Sequence, residues 1–330
     1  MSIRVLVTPR TFGKSDPVPM EMLREAGCDI VSNPYGRLMS EEEIIQLIQD
    51  VDGVIAGLDP FNARVLSKAH RLKVVSRYGV GVNNVDLDYA NSKGIAVTNT
   101  PGANSLAVAE LTLGLLFAVC RRINLSERGI RQGMWRQYPG QQLEGKTLGI
   151  VGTGQIGKQV AELARGLRMR VVCHDICPDE AWAQKTGAVY MPFDELICTS
   201  DFISLHIPLS EHTYHLISHN ELRQMKPSAV IINTSRGGII DEDALCEAIR
   251  ENRIWGAGLD VFEEEPPVGS LLLELDGVVL TSHIGAHTQE SVQNMGRMAV
   301  ANLLECLSGQ IPKFVVNADV TGSIESASAG

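Results

Sequence analysis

The sequence predicts an α/β protein of two Rossmann-like or flavodoxin-like lobes, each a parallel sheet covered by helices, with a central cleft. Three observations predict it. Short β-branched runs alternate with amphipathic patterns along nearly the whole chain, as in a sheet covered by helices on both faces. At 330 residues the chain exceeds one ordinary core, so two domains are expected. The alternation also falls into two series of unequal length, separated by the turn-rich Asn99-Thr100-Pro101-Gly102-Ala103-Asn104-Ser105 and a long apolar helix from about Leu106.

In the first series the pattern predicts strands at Arg4–Thr8, Val54–Ala56, Lys73–Ser76 and Ala96–Thr98. Helices are expected between them at about Pro19–Ala26, Glu41–Ile48, Ala63–Ala69 and Asp86–Ser92. Asn104 or Ser105 is expected to cap the long helix, and Glu110 falls in its early turns. The second series predicts strands at Thr147–Val151, Arg170–His174, Phe202–Leu205, Val230–Asn233, Gly256–Asp260 and Val278–Thr281, with a helix over Ile156–Leu167. A last helix, about Gln289 to Leu307, leads to Val315-Val316-Asn317, and the small polar residues from Ala318 onward read as a frayed end.

Composition narrows the function. A formal net charge of -10, with no lysine or arginine run, argues against nucleic acid or an anionic membrane as the main partner. No apolar stretch approaches the ~20 residues of a membrane span, and residues 1–7 show no leader pattern. The seven cysteines are scattered without paired spacing, which predicts reduced thiols and a cytoplasmic protein.

The strand Leu148-Gly149-Ile150-Val151 feeds directly into Gly152-Thr153-Gly154-Gln155-Ile156-Gly157. In such a loop the first glycine makes the tight turn, the second lets backbone approach a pyrophosphate, and the third lets helix and strand pack closely. The helix that opens there aims free N–H groups and a positive dipole end at the phosphates. Asp175 follows Gly157 by 18 positions, at the end of the next strand. A carboxylate there accepts from ribose hydroxyls and repels a 2′-phosphate, and neither Ile176 nor Cys177 offers a cation. The cofactor is therefore expected to be NAD.

Hydride transfer at a 2-hydroxy acid needs a cation for the substrate carboxylate, an acid/base for the hydroxyl proton, and a group that orients that acid/base. One candidate for each lies just past a predicted strand. Arg236, in Asn233-Thr234-Ser235-Arg236-Gly237-Gly238, has a fork that grips a carboxylate. His283, in Ser282-His283-Ile284-Gly285-Ala286, suits proton traffic near pH 7. Glu265, before Pro266, is placed to hold the His283 ring. Singly, each has a bland reading as a loop anchor, a solvated charge or a satisfied polar residue; together after a nucleotide loop they point to a reaction.

These residues, with Arg77-Tyr78-Gly79-Val80-Gly81-Val82-Asn83-Asn84-Val85-Asp86, Ala109-Glu110, His206-Ile207-Pro208-Leu209 and Leu259-Asp260-Val261-Phe262, carry a resemblance. The chain resembles the D-isomer-specific 2-hydroxyacid dehydrogenases over about residues 3 to 317, and among them most the phosphoglycerate dehydrogenases. The resemblance implies Arg236, Glu265 and His283 as the catalytic trio. It implies that Asp260 contacts the nicotinamide carboxamide and that His206, Ile207 and Pro208 lie beneath the adenosine. Ser235 would line the nicotinamide pocket, and Thr234 and Gly285 are further cofactor-binding candidates. Arg77 and the amides of Val80 and Gly81 would bind substrate. It also implies a discontinuous substrate-binding domain of residues 1–102 and 287–330, an NAD-binding domain of 103–286, and a homodimer through the latter.

The sequence departs from that pattern near the substrate. Gly57-Leu58-Asp59-Pro60-Phe61-Asn62 carries an aspartate where an arginine often grips a phosphate, and Asn83 replaces a usual aspartate. Arg136 is a further candidate cation, reaching over from a partner subunit. No C-terminal regulatory domain is recognisable, so feedback through one is not expected. A 3-phosphoglycerate-like substrate leads, hydroxypyruvate or glyoxylate reduction is the alternative, and a non-catalytic NAD-sensing corepressor-like protein is the rival class. His212, His215 and His219 have ligand-like spacing, and His287 lies four past His283. We expect no metal, because the first three fall on a surface connection, and we place His287 beside the catalytic pocket or at a hinge. Trp135 and Trp255 read as packing residues.

Overall fold

The computed structural model describes residues 2–317. The chain divides into two units: one takes the residues up to Asn104 and from Ala286 onward, the other runs Ser105–Gly285.

In the first unit, strands β1 (Arg4–Val7), β2 (Asp29–Ser32), β3 (Gly53–Ala56), β4 (Val74–Arg77) and β5 (Ala96–Thr98) alternate with helices α1 (Val18–Glu25), α2 (Glu41–Ile48), α3 (Ala63–Leu66) and α4 (Leu87–Ser92). The strands form one parallel sheet in the order β2-β1-β3-β4-β5, the flavodoxin-like winding. Ser40 and Glu43 form a reciprocal capping box at the start of α2, and the side chains of Asn62 and Asp86 cap α3 and α4. Every residue of β3 and β4 is buried, as expected of central strands covered on both faces.

The second unit opens with α5 (Ser105–Cys120) and α6 (Ile123–Arg131). It continues β6 (Thr147–Val151), α7 (Gln155–Gly166), β7 (Arg170–His174), α8 (Glu180–Thr186), β8 (Val189–Tyr190), α9 (Phe193–Thr199) and β9 (Phe202–Leu205). Then come α10 (His219–Gln224), β10 (Val230–Asn233), α11 (Glu242–Arg250), β11 (Gly256–Leu259) and β12 (Val278–Leu280), after which α12 (Gln289–Leu307) belongs to the first unit. The seven strands are parallel in the order β12-β11-β10-β9-β6-β7-β8. The order reverses between β6 and β9, the switch point at which such sheets bind ligands beyond their carboxyl ends. Helix α5 is apolar on nearly all sides and packs on this sheet through Leu115, Leu116 and Val119.

Register places the functional loops in a row. Val151 pairs with His174 and Leu205, Asn233 with Leu205 and Leu259, and Leu259 with Leu280. Gly152, Asp175, His206, Thr234, Asp260 and Thr281 each follow one of these residues, so all leave the same edge of the sheet.

Three details differ from expectation. Strands β2 and β8 have no apolar run to reveal them: β2 is a half-exposed edge strand and β8 has two residues. Helix α3 stops at Leu66, before Ala69. Trp255 packs as expected, beneath the Arg122 guanidinium at 4.3 Å, whereas Trp135 is 90% exposed and so is not packed among the described residues. The expected frayed end lies outside the described residues.

Candidate active site

The glycine loop is shaped by close approach. Gly152 has a positive φ of 94°, and a Cβ on it would press into the His206 carbonyl. A Cβ on Gly157 would overlap the Gly152 carbonyl oxygen, so the first turn of α7 closes on the end of β6 only without a side chain. Gly154, at the N-cap of α7, is exposed, and a Cβ there would meet nothing within 4 Å. This open face in front of a helix N-terminus fits a pyrophosphate. Gln155 is exposed and Ile156 half-buried beside it.

Asp175 sits against the same loop. Its Oδ2 accepts from Thr153 N at 2.6 Å and Thr153 Oγ1 at 3.0 Å, and its Oδ1 accepts from Cys177 N at 2.9 Å. Burial works to raise the carboxyl pKa, but the bonds from Cys177 and Thr153 outweigh it, so the group is held below its ordinary value and stays charged. Thr153 Oγ1 lies 2.7 Å from Tyr190 Oη, which accepts from Asp179 N at 3.1 Å. Sequence reasoning missed this bracing: Thr153 stood inside the motif, but nothing marked Tyr190.

His206 leaves the end of β9. Its Nε2 lies 2.7 Å from Ser204 Oγ. Although the residue keeps some exposed surface, Nδ1 is sealed from solvent without a hydrogen-bond partner among the described residues. Burial pushes the ring pKa down to about 3, so it is neutral. Ile207 is half-buried and Pro208 exposed.

Arg236, Glu265 and His283 all belong to the second unit. His283 Nδ1 lies 2.8 Å from Glu265 Oε2, with each side chain about one-third exposed. Burial raises the Glu265 pKa, but the hydrogen bond and charge of His283, the Phe262 amide and Arg236 together hold it below the ordinary carboxylate value. Arg236 is pulled down by burial and pushed back by Glu265, and a guanidinium remains a cation throughout. Its Nη1 donates to Ser235 O at 2.5 Å. Asn233 holds the turn, donating to Arg236 O at 2.8 Å while its Oδ1 accepts from Ser235 N and Oγ at 3.0 and 2.7 Å. Thr234 turns its hydroxyl to Thr112 in α5 at 2.8 Å, leaving its backbone as the group it can offer a ligand.

Asp260 is placed differently from the expectation that it contacts nicotinamide. It is 1% exposed, and its carboxylate accepts from Thr281 Oγ1 at 2.6 Å and from Ile284 N and Gly285 N at 2.8 Å each. Its carbonyl accepts from His283 N at 2.9 Å. These bonds hold His283 at a positive φ of 54°, a conformation few non-glycine residues adopt unforced. In this chain Asp260 shapes the loop that carries His283.

In the first unit, Arg77 departs from its expected role. It is 3% exposed, and its fork donates to Gly81 O at 2.9 Å, Ala56 O at 2.6 Å and Gly57 O. A guanidinium committed to three carbonyls builds the loop rather than gripping a phosphate. Asp59 is likewise buried, accepting from Thr8 Oγ1 at 2.5 Å and Met39 N at 2.8 Å, so it is not placed to meet a phosphate. The carbonyls of Gly79 and Val80 are also taken, by Thr100 N and Asn99 Nδ2. Among the described residues the N–H groups of Val80 and Gly81 have no acceptor, which leaves both to receive an anion. Arg136 lies over the Tyr138 ring at 5.2 Å.

The three clustered histidines do not converge. His215 faces Glu263, His219 faces Glu247 and His212 is exposed. No group of three His, Cys, Asp or Glu among the described residues could hold a metal ion.

Residues 113–285 match the model of the D-isomer specific 2-hydroxyacid dehydrogenase NAD-binding domain. The chain belongs to this family. The dehydrogenase is 41% identical to the glyoxylate reductase of Thermococcus litoralis over 85% of this chain and 88% of that protein. It is 40% identical to the D-3-phosphoglycerate dehydrogenase of Methanocaldococcus jannaschii, over 84% of this chain but only 54% of that one. The structure of D-lactate dehydrogenase from Aquifex aeolicus, complexed with NAD and lactic acid, superimposes with a TM-score of 0.82 at 30% identity, over 95% and 99% of the two chains. The dehydrogenase is thus an NAD-dependent oxidoreductase acting on CH–OH donors, as the family expectation held. No helix of the described residues is long and apolar enough to cross a membrane.

Proposed function

We propose that this dehydrogenase reduces a short, unphosphorylated 2-oxo acid of the glyoxylate or hydroxypyruvate kind to the corresponding 2-hydroxy acid. This reverses the order of the two substrates the sequence suggested. The observation that carries the reading is Arg77: the cation expected on a substrate phosphate is buried and bonded to the carbonyls of Ala56, Gly57 and Gly81. The extent of the match to a relative named glyoxylate reductase supports it, since the phosphoglycerate dehydrogenase relative is covered over little more than half its length.

The loop Gly152–Gly157 and Asp175 would hold the dinucleotide, which supplies the hydride when bound. Glu265 occupies Nδ1 of His283, which leaves Nε2 as the nitrogen that exchanges a proton with substrate. As C2 of the 2-oxo acid receives hydride, His283 Nε2 gives its proton to the C2 oxygen, and Glu265 stabilises the ring in the protonated form it starts from. Arg236 binds the carboxylate and offsets charge building on the C2 oxygen. Positioned proton transfer of this kind contributes ~10²–10⁴-fold in rate.

We further assign a homodimer through the second unit. Ile123, Ile130, Met134 and Trp135, close together in sequence, expose 52%, 58%, 48% and 90% of their surface there, apolar side chains that a partner subunit would cover. Seven free cysteines fit a reducing cytoplasm. An NADH-oxidation assay over glyoxylate, hydroxypyruvate, pyruvate and phosphohydroxypyruvate tests the substrate reading. It expects kcat/KM highest for one of the first two, and a preference for phosphohydroxypyruvate overturns it. Light scattering on the purified protein tests the dimer.

A further inference from the structure

Three segments of the second unit meet at His215: its own connection after β9, the loop that carries Arg236, and the loop that carries Glu265. His215 Nε2 lies 3.0 Å from Glu263 Oε1 and Nδ1 lies 3.9 Å from Asp241 Oδ2. Glu263 is thus within hydrogen-bond reach of the ring, while Asp241 lies beyond that reach on the other side. The backbone joins in, His215 N donating to Gly238 O at 2.7 Å. Tyr214 stacks on the His215 ring at 3.9 Å and 16°, and its own ring lies against Gly238. His215 holds a positive φ of 51°, so the contacts fix an unusual backbone for a residue with a side chain.

The two loops below it are in direct backbone contact. A Cβ on Gly237, the neighbour of Arg236, would overlap the Phe262 carbonyl. Glu242 and Glu263 exchange bonds: Glu263 N donates to Glu242 Oε1 at 2.7 Å, and Glu242 N donates to Glu263 Oε1 at 3.3 Å. Phe262 N in turn donates to Glu265 Oε1 at 3.3 Å, so the position of residues 262–263 is passed to the carboxylate that holds His283.

The corner is acidic, and His215 is the base within it. Asp241, Glu242, Asp243, Glu263 and Glu264 line one cavity with His215. Burial raises the Glu242 pKa, and the charges of Glu263, Asp243 and Glu264 raise it further. Asp241 is raised by burial but held low by bonds from Ala244 N and Ser218 Oγ, with His215 and His219 adding to that effect.

We propose that His215 is a positioning residue for the hydride transfer, a hydrogen-bonded latch that fastens the loop carrying Glu265 to the loop carrying Arg236. The proposal rests on the reading of Arg236, Glu265 and His283 as the trio. His215→Asn removes the reach to Glu263 while keeping a residue that tolerates the left-handed backbone. It is expected to lower kcat by about tenfold with KM for NADH within about twofold. His215→Arg, which restores a donor that reaches Glu263, is expected to recover most of the loss. Glu263→Gln should reproduce the loss, and the double variant His215→Asn/Glu263→Gln should be no slower than either single.

A His215→Asn kcat equal to wild type, a loss that arginine fails to rescue, or additive losses in the double variant overturn the proposal. Should His215→Asn fail to fold, Glu263→Gln carries the test alone. Amide hydrogen exchange over residues 262–265 reads the latch without turnover: it should accelerate in the asparagine variant, and unchanged exchange refutes the latch. A wild-type protein inactive on every 2-oxo acid counts instead against the trio, and the exchange result still decides the latch.

Discussion

Replacing Asp260 with asparagine changes one oxygen to an NH₂ group and almost no volume, yet it should be costly. The carboxylate accepts from three donors: Thr281 Oγ1 and Ile284 N on Oδ1, and Gly285 N on Oδ2. With the amide nitrogen in place of Oδ2, it faces the Gly285 N–H donor to donor at about 2.8 Å. Flipped, it faces Ile284 N–H instead. Either way one buried amide loses its acceptor, and the bonds that remain lose their charge. Such a loss costs about 2–3 kcal/mol. The strain falls on the loop that holds His283 at a positive φ, so most of it should appear as misplacement of the acid/base. Expressed in kcat, it corresponds to about 30- to 150-fold. Steady-state NADH oxidation with saturating 2-oxo acid measures it, alongside a melting curve. A kcat within twofold of wild type at normal melting temperature would refute the account of Asp260 as the brace of this loop.

Other changes probe the cofactor side. Gly157→Ala drives a Cβ into the Gly152 carbonyl, and the displaced loop should weaken NADH binding at least about tenfold by fluorescence titration and lower the melting temperature. Asp175→Ala removes a charge held against the loop; the NADPH/NADH ratio of kcat/KM should rise about tenfold, and an unchanged ratio would argue against a ribose role. His206 gives a pH signature. Its ring is held near pKa 3 against 6.5 when unfolded, so between those values the unfolded chain binds the extra proton and stability falls as pH drops below 6.5. From pH 7 to pH 5 this ring alone should cost the protein ~2 kcal/mol in denaturant unfolding. His206→Gln should show a pH dependence smaller by that amount; an identical one refutes the buried neutral ring.

The parts of this fold that were legible are those where one local rule acts alone. The central strands β6, β9 and β10 are buried throughout and announced themselves as apolar runs. Helix α12 fell at its expected bounds because Thr288 caps it and its apolar spacing holds for the full length. The edge strand β2 stayed hidden because its alternation is half-exposed and it owes its form to pairing with β1. In the site, Glu265 and His283 were visible as chemistry-bearing types at strand ends, and they do meet. The fates of Arg77, Asp59 and Asp260 were not visible, since a charged residue bonded to buried backbone has the same letter as one waiting for substrate. The grouping of His215 with Glu263 and Asp241 depends on contacts across 48 and 26 positions, which no local pattern records.

The most direct test of the central claim is a comparison of wild type with His283→Ala in NADH oxidation by a 2-oxo acid, with NADH affinity measured on both. If His283 supplies the proton, the variant should lose at least about a hundredfold in kcat while binding NADH as tightly as wild type. Turnover within a few-fold of wild type would contradict the assignment of His283 and, with it, the role given to Glu265.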